Sequence, residues 1–321
     1  MPSATTHPQE TTLAAVEALF ATPLLDLVFQ AATRHREHHA PDKIQCSQLL
    51  SIKTGGCPED CGYCSQSAHF DTGLEKQTTL EVDEVLSAAR EAKDSGADRF
   101  CMGAAWREVK DGPEFDRVLD MVKGVKDLGL ETCVTLGMLA PDQADRLRES
   151  GLDFYNHNLD SARSYYDDVV HTRTYDDRIE TLRNVREAGI AVCSGGILGL
   201  GETVAQRAEL LLELASLEPQ PESVPINTLV PIPGTPMEAN EPLEWSELVR
   251  TIAATRLMIP KAVIRLSAGR GELTEEAQAL CFLAGANSIF VGGQLLTTPN
   301  PEPGSDSALF QKLGLTPLQR Q

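Results

Sequence analysis

The chain has 321 residues, with 28 Lys or Arg against 47 Asp or Glu, so its formal charge is −19. A hydrophobic fraction of 41% is sufficient for a large core and excludes a globally disordered chain. The acidic balance disfavours nucleic acid and membrane surfaces as partners, because both attract Lys and Arg gathered on one face.

The start of the chain lacks the basic region and following apolar run that mark a secretory signal. No stretch approaches the roughly 20 apolar residues that a membrane span requires. We therefore expect a cytoplasmic protein, in which disulfides are rare. The eight cysteines must then have another role, as buried packing residues, metal ligands or redox groups.

Residues 1–40 are predicted to form a helical extension. From residue 41 onward, short apolar runs alternate with amphipathic stretches that end at glycine, the usual helix stop. The apolar runs predict eight strands, near residues 45–52, 98–103, 130–136, 152–158, 190–198, 223–230, 262–267 and 287–291.

Repeated strand–helix–strand order indicates an α/β protein with a parallel sheet. Eight such units favour a (β/α)8 TIM-type barrel over residues 41–295, with a doubly wound open sheet as the alternative. Residues 296–321 are rich in proline and polar residues, and we expect a C-terminal tail on the surface.

Three cysteines lie in one loop after the first predicted strand. Cys57, Cys61 and Cys64 have the spacing C-x3-C-x2-C within GCPEDCGYCSQS. Thiolates at this spacing can converge on one metal centre, and three without a fourth suit a 4Fe–4S cluster with one open iron. Asp60 or His69 could instead complete a zinc site, or the thiols could be redox groups.

Three further cysteines lie in different predicted strands. Cys101 is in the second, Cys133 in the third and Cys193 in the fifth, while Arg265 is in the seventh. Alternate residues of barrel strands point inward, so these four side chains could meet inside the barrel. Each cysteine could equally be a small core residue. A buried Arg265 would need a partner, which thiolates or a cluster could supply.

Polar residues end the fourth and sixth predicted strands. Asn156, Asn158 and Asp160 in YNHNLD share one face of an extended strand, and Asn227 has the same placement in the sixth. Amides and a carboxylate at a barrel rim suit ribose hydroxyls and amide groups, although an isolated Asn is often only a turn former. His157 faces away from this row, and we expect it in the core or on the surface.

Several segments together resemble the biotin synthase family of the radical S-adenosylmethionine superfamily. They are GCPEDCGYCSQS, MGAAWRE, YNHNLD, CSGGILGLGET, ESVPINTLV, VIRLSAGR and CFLAGANSIFVGG, between about residues 40 and 300. The resemblance implies a radical sulfurtransferase that inserts sulfur between C6 and C9 of dethiobiotin, the last step of biotin biosynthesis. The alternatives are a sulfur-inserting or methylthiolating superfamily member with another substrate, and a non-catalytic electron carrier or zinc-stabilised binding protein.

The resemblance also implies two clusters. A 4Fe–4S cluster that cleaves S-adenosylmethionine would be bound by Cys57, Cys61 and Cys64. A 2Fe–2S cluster that donates the sulfur would be bound by Cys101, Cys133, Cys193 and Arg265. Arginine as a ligand rests on the resemblance alone, because a guanidinium has no lone pair to offer.

The resemblance implies ligand contacts too. For S-adenosylmethionine they are Tyr63, Asn158, Asp160, Arg173 and Ile197. Tyr63 could instead only pack in its loop, and Arg173 could only cap a helix. The ureido ring of dethiobiotin would contact Asn158 and Asn227.

Partners implied by the same resemblance are an electron donor such as flavodoxin or ferredoxin, and a second copy of the chain in a homodimer. Cys46 and Cys281 match no motif, and we expect them to be packing residues.

Overall fold

Parallel strands form the centre of the computed structural model, which describes residues 12–302 and 304–318. In chain order they are β1 (Lys43–Lys53), β2 (Arg99–Ala104), β3 (Glu131–Thr135), β4 (Phe154–Asn156), β5 (Ala191–Cys193), β6 (Gly196–Leu198), β7 (Ser223–Thr228), β8 (Val263–Leu266) and β9 (Ser288–Phe290). The sheet order is β1-β2-β3-β4-β5-β7-β8-β9, and β9 pairs back with β1. The sheet is therefore a closed barrel, and the predicted fold class is confirmed.

The fifth position of the barrel is divided between β5 and β6, both of which pair with β7. The strand predicted at 190–198 is interrupted at Ser194 and Gly195. A side chain at Gly195 would place its Cβ only 2.0 Å from the carbonyl oxygen of Pro225, so the backbones approach closely here. The interruption leaves eight positions around the barrel, as predicted.

Helices surround the barrel in the alternation that the sequence indicates. After β1 they are α3 (Val82–Asp94), α4 (Pro113–Asp127), α5 (Pro141–Glu149), α6 (Tyr175–Glu187), α7 (Val204–Ser216), α8 (Trp245–Met258) and α9 (Glu275–Leu283). Threonine begins several of them: Thr174 and Thr203 each accept a hydrogen bond from the backbone N–H three residues later. Capping side chains thus fix where the helices begin, and glycines after the helices fix where they end.

The N-terminal extension consists of α1 (Leu13–Ala21) and α2 (Leu24–His38), which pack on α7 and α8. Arg250 of α8 donates to the carbonyl oxygens of Phe20 and Thr22, at 2.9 and 2.5 Å. Residues 1–11 of this predicted extension lie outside the described residues.

The C-terminal segment has more regular secondary structure than its polar composition predicts. It contains α10 (Ser305–Leu313) and the short strand β10 (Thr316–Pro317), which pairs with the start of β1. Leu309 and Phe310 of α10 are buried, and the Phe310 ring lies 6.2 Å from the ring of Phe282 in α9. Helix α10 follows β9 and completes the alternation, while the boundary at residue 295 stays a prediction.

Within residues 12–302 and 304–318, no helix by itself has the length and apolar character to cross a membrane. Helices α1 and α2 meet that test only as a pair, and they are bent by 116° relative to each other.

A buried arginine connects α2 to the N-terminal ends of β8 and β9. Arg256 of α8 is fully buried and donates to the carbonyl oxygens of Ala262 at 2.8 Å and Gly285 at 2.7 Å. Its Nη1 lies 3.0 Å from Nε2 of His39, whose ring stacks on His35. Burial and the charge of Arg256 lower the pKa of His35 to about 3 and that of His39 to about 4.

These two histidines should make stability depend on pH. Because folding lowers their pKa below 6.5, their contribution is complete above that value and is lost as the pH falls toward about 4. His39→Gln should flatten this dependence, by at most about 1.4 kcal/mol per pH unit. Urea unfolding at several pH values measures the slope, with His38→Gln on the exposed face of α2 as control. A parent slope retained in His39→Gln would contradict the assignment.

Candidate active site

A cavity of about 340 Å³ lies at the C-terminal ends of the strands, the face on which active sites form in this fold. Its wall includes members of both predicted thiol groups and of the polar rim: Cys57, Cys61, Cys64, Cys101, Cys133, Asn158, Asp160, Asn227 and Arg265. The barrel thus brings residues from distant parts of the sequence to one cavity.

Backbone hydrogen bonds shape the loop that carries the first three thiols. The Cys57 N–H donates to Gln66 O at 2.9 Å, and the Cys64 N–H donates to Cys61 O at 2.9 Å. All eight cysteines of the chain are free. Burial raises the pKa of Cys61 to about 11 and that of Cys64 to about 12, so a metal that binds here must displace thiol protons.

The two residues that could complete a zinc site have other contacts. Asp60 accepts from the N–H groups of His171 and Thr172, at 2.9 and 3.0 Å. Burial opposes ionisation of Asp60, but these hydrogen bonds lower its pKa to about 2. His69 Nε2 lies 3.0 Å from Pro58 O. In the part of the chain that the structure describes, no three or more His, Cys, Asp or Glu side chains are already gathered as the ligands of a single metal ion.

The second thiol group lies deeper in the barrel. Cys101 and Cys133 are direct neighbours on β2 and β3, and Cys193 on β5 accepts a hydrogen bond from Asn156 Nδ2 at 3.3 Å. Each of the three is at most 3% exposed. Hydrogen bonds with Cys133 lower the pKa of Cys101 and Cys193, and the same contacts raise that of Cys133. The structure therefore brings the three thiols together, as the strand pattern predicts.

Arg265 completes this group from β8 and is only 1% exposed. Its guanidinium donates to Ser288 Oγ at 3.1 Å and Ser47 Oγ at 3.0 Å, and it lies 4.5 Å from the centre of the Phe290 ring. It also donates to Gln45 Oε1 at 3.4 Å, so these partners are neutral oxygen atoms, and its positive charge helps to lower the pKa of Cys193.

A second buried guanidinium, Arg99, was not predicted. It precedes Cys101 by two residues on β2, forms an ion pair with Glu131 of β3 and lies 3.8 Å from the Phe154 ring. Its charge also helps to lower the pKa of Cys101. A charged residue at an inward-facing position of a strand could have revealed it, because such a position is normally apolar.

Asp160 organises the opposite side of the cavity. Its φ is 64°, and no other non-glycine residue among those described has a positive φ. The backbone at Asp160 is therefore left-handed and does not continue the extended conformation of β4. Its carboxylate accepts a 2.7 Å hydrogen bond from Tyr63 and forms an ion pair with Arg178 of α6. Tyr63 therefore does more than pack in its loop. Arg178 was not predicted, because nothing in the pattern of α6 separates it from a surface charge.

The asparagines of the rim have fixed orientations. Asn158 Oδ1 accepts from Asn156 Nδ2 at 3.1 Å and from the Gly195 N–H at 3.2 Å. Asn227 donates to Gly196 O at 3.1 Å and accepts from the Ala268 N–H at 3.2 Å. Since an amide has two donor hydrogens and two acceptor lone pairs, each retains capacity for a ligand.

Arg173 faces the cavity and does not cap α6, because Thr174 has that role. It pairs with buried Glu59 at 3.5 Å, an unpredicted partner that Arg107 also approaches at 3.2 Å. The Nη1 of Arg173 is buried and makes no hydrogen bond to any described residue, which suits an anionic ligand group.

The remaining predicted residues are also located. Ile197 of β6 lies opposite Asn227 and lines the cavity. His157, which was expected to face away from the asparagines in the core or on the surface, is buried at 3% exposure but is also part of the cavity wall. Burial together with nearby Arg173 lowers its pKa well below 6.5. Cys46 and Cys281 are buried packing residues, as expected.

Comparison with solved structures shows the same fold in enzymes of low sequence identity. A methylornithine synthase is 18% identical, with a TM-score of 0.80 over 97% of this chain and 95% of its own. The FeFe-hydrogenase maturase HydG from Carboxydothermus hydrogenoformans is 16% identical, with a TM-score of 0.80 over 96% of this chain and 76% of its own.

Sequence comparison shows the family. Residues 51–214 match the Radical SAM superfamily, and residues 225–316 match the Biotin and Thiamin Synthesis associated domain. Biotin synthases from Sorangium cellulosum and Maricaulis maris are each 60% identical over 94% of this chain, covering 86% and 90% of their own. One from Chromobacterium violaceum is 56% identical over 98% of this chain and 97% of its own. The chain therefore belongs to the biotin synthase family of radical S-adenosylmethionine enzymes.

Proposed function

We propose that this radical sulfurtransferase inserts sulfur between C6 and C9 of dethiobiotin and so forms biotin, the last step of biotin biosynthesis. One observation carries the proposal: one cavity is lined by all three free thiols of the first group and by Cys101 and Cys133 of the second, whose third member, Cys193, is fully buried. A radical enzyme that only cleaves S-adenosylmethionine needs the first group alone. The second group suits a site that supplies sulfur.

The donor sets fit both clusters. The first set is Cys57, Cys61 and Cys64, which would hold the 4Fe–4S cluster with one iron open. The second set is Cys101, Cys133, Cys193 and Arg265, which would hold the 2Fe–2S cluster. When bound, the first cluster supplies the electron that cleaves S-adenosylmethionine to a radical able to take hydrogen from unactivated carbon, and the second supplies sulfur.

The side chains of the rim would hold the two organic ligands. For S-adenosylmethionine we assign Tyr63, Asn158, Asp160, Arg173 and Ile197. The unpaired Nη1 of Arg173 suits its carboxylate, and Asp160 suits ribose hydroxyls. For dethiobiotin we assign Asn158 and Asn227, because the remaining hydrogen-bonding capacity of two oriented amides matches the donors and acceptor of a ureido ring.

Burial of the second thiol group supports the radical chemistry. A carbon radical must react with sulfur before water or protein quenches it, and a closed barrel excludes water from Cys101, Cys133 and Cys193. We further propose that flavodoxin or ferredoxin delivers the electron, and that the chain acts as a homodimer in the cytoplasm. The electron donor and the homodimer rest on the family resemblance, and the location rests on the sequence features described above.

Metal content and products test the proposal directly. The anaerobically reconstituted chain should hold about six iron atoms, the sum of the two cluster types. Supplied with dethiobiotin, S-adenosylmethionine and a reductant, it should release biotin and 5′-deoxyadenosine, measured by mass spectrometry. One zinc without sulfide would contradict the cluster assignment. Deoxyadenosine without biotin would remove the substrate assignment and leave the superfamily chemistry.

Substitution of single cysteines should separate the two thiol groups. Cys133→Ala should still form 5′-deoxyadenosine but no biotin, because it removes a ligand of the second cluster only. Cys61→Ala should abolish both products. Cys281→Ala, at a buried cysteine outside both groups, is the control and should retain both products. Equal loss of both products in Cys133→Ala would contradict two independent sites.

The Asp160–Arg178 pair should stabilise the fold as well as the rim. Asp160→Ala leaves a buried guanidinium unpaired, which should lower the free energy of unfolding by about 3 kcal/mol in urea unfolding. Asp160→Asn should lower the free energy of unfolding by less than Asp160→Ala does, because asparagine tolerates the left-handed backbone. The control is Asp176→Asn, which breaks an exposed ion pair with Arg163 and should have little effect. Equal effects at the two positions would contradict the assignment.

A further inference from the structure

The segment after β9 folds back against the cavity, and we call residues 291–300 the cap. The Leu295 N–H donates to Thr298 O at 2.9 Å, and the Asn300 N–H donates to Gly293 O at 3.1 Å. Leu295, Leu296, Thr297 and Thr298 belong to the cavity wall. The cap is therefore a compact turn with its tip at the cavity.

The cap brings an apolar side chain to the second thiol group. Leu295 and Phe290 form one buried group with Cys101 and Cys133, apart from the main core of the protein. Leu295 is 8% exposed and Phe290 is 9% exposed. Hydrocarbon from the cap thus takes part in enclosing these thiols.

Hydrogen bonds hold the base of the cap in place. Asn300 Nδ2 donates to Phe290 O at 3.0 Å and to Gly292 O at 2.7 Å. Arg270 also donates to Phe290 O at 3.0 Å, and it is bound to Asp306 of α10 at 2.5 and 2.9 Å. Asn300 is therefore the residue that ties the end of the cap to its beginning.

Two contacts hold the tip. A Cβ at Gly103 of β2 would lie 2.7 Å from Leu296 Cδ2, so the absence of a side chain at 103 lets Leu296 rest on the strand. Thr297 and Ser65 share a 2.8 Å hydrogen bond between their hydroxyl groups. Ser65 follows Cys64 in the loop that carries the first thiol group. The cap therefore contacts the second thiol group through Leu295 and this loop through Thr297.

We propose that the cap closes the second thiol group off from solvent, with Leu295 as the side chain that limits access of solutes to Cys101 and Cys133. The inference rests on the proposed function, which places a cluster on these thiols. Water, chelators and the components of a new cluster would reach the thiols when Leu295 moves away. The seal acts by steric exclusion and takes no part in bond making or breaking.

Chelation combined with alkylation tests the seal residue by residue. The reconstituted full-length chain is incubated anaerobically with an iron chelator and iodoacetamide, and modified cysteines are quantified by mass spectrometry. In Leu295→Ala, Cys101 and Cys133 should react about tenfold faster than in the parent, because local opening costs less. The cysteines of the outer loop should keep their rates, and Cys281 is the internal reference.

Leu283→Ala is the matched control, because it removes the same side chain from an exposed position of α9, outside the cap and the thiol group. An unchanged rate in Leu295→Ala, or an equal increase in Leu283→Ala, would overturn the proposal. Should Leu295→Ala fail to fold, Asn300→Ala loosens the cap without touching a thiol and should give the same increase. A parent chain whose Cys101 reacts equally with and without chelator would contradict the second cluster, while the comparison of variants would still test the seal.

Discussion

Burial of thiols beside positive charge is the physical constraint on which the site depends. Cys101, Cys133 and Cys193 lie inside a closed barrel where an ionised thiol without a counter-charge would be costly. Arg265 and Arg99 supply that charge from β8 and β2, and both lie among fixed partners that keep them near the thiols. A site that needs deprotonated sulfur in the absence of water is thereby compatible with a stable fold.

The cavity wall becomes more polar from the buried thiols toward the rim. The wall also carries Asn158 and Asn227, whose amides are oriented by the backbone N–H groups of Gly195 and Ala268. Farther out, Tyr63 of the outer thiol loop reaches Asp160, so the loop is attached to the barrel through a side chain. Such preorganised contacts would place two ligands between the two thiol groups and limit the reactions open to a radical.

Sequence patterns predicted the strands and most of the cavity, because apolar runs and inward-facing cysteines are local features. Arg99 escaped prediction because Glu131, its partner, lies on another strand. Asp160 was expected to continue an extended strand, but its left-handed backbone turns it toward Tyr63 and Arg178, contacts that depend on the closed barrel. The helix from Ser305 to Leu313 was not predicted, because the prolines around residue 300 indicate a loop. Its buried face is explained only by its contact with α9, which the sequence pattern does not show.

The central claim is that one barrel holds two iron sites on two separate thiol groups. Anomalous diffraction at the iron edge, from crystals of the anaerobically reconstituted protein, tests it most directly. The account predicts two iron peaks in each chain, one beside Cys57, Cys61 and Cys64 and the other beside Cys101, Cys133 and Cys193. A single iron peak, or a peak that follows the zinc edge at the outer loop, would contradict it.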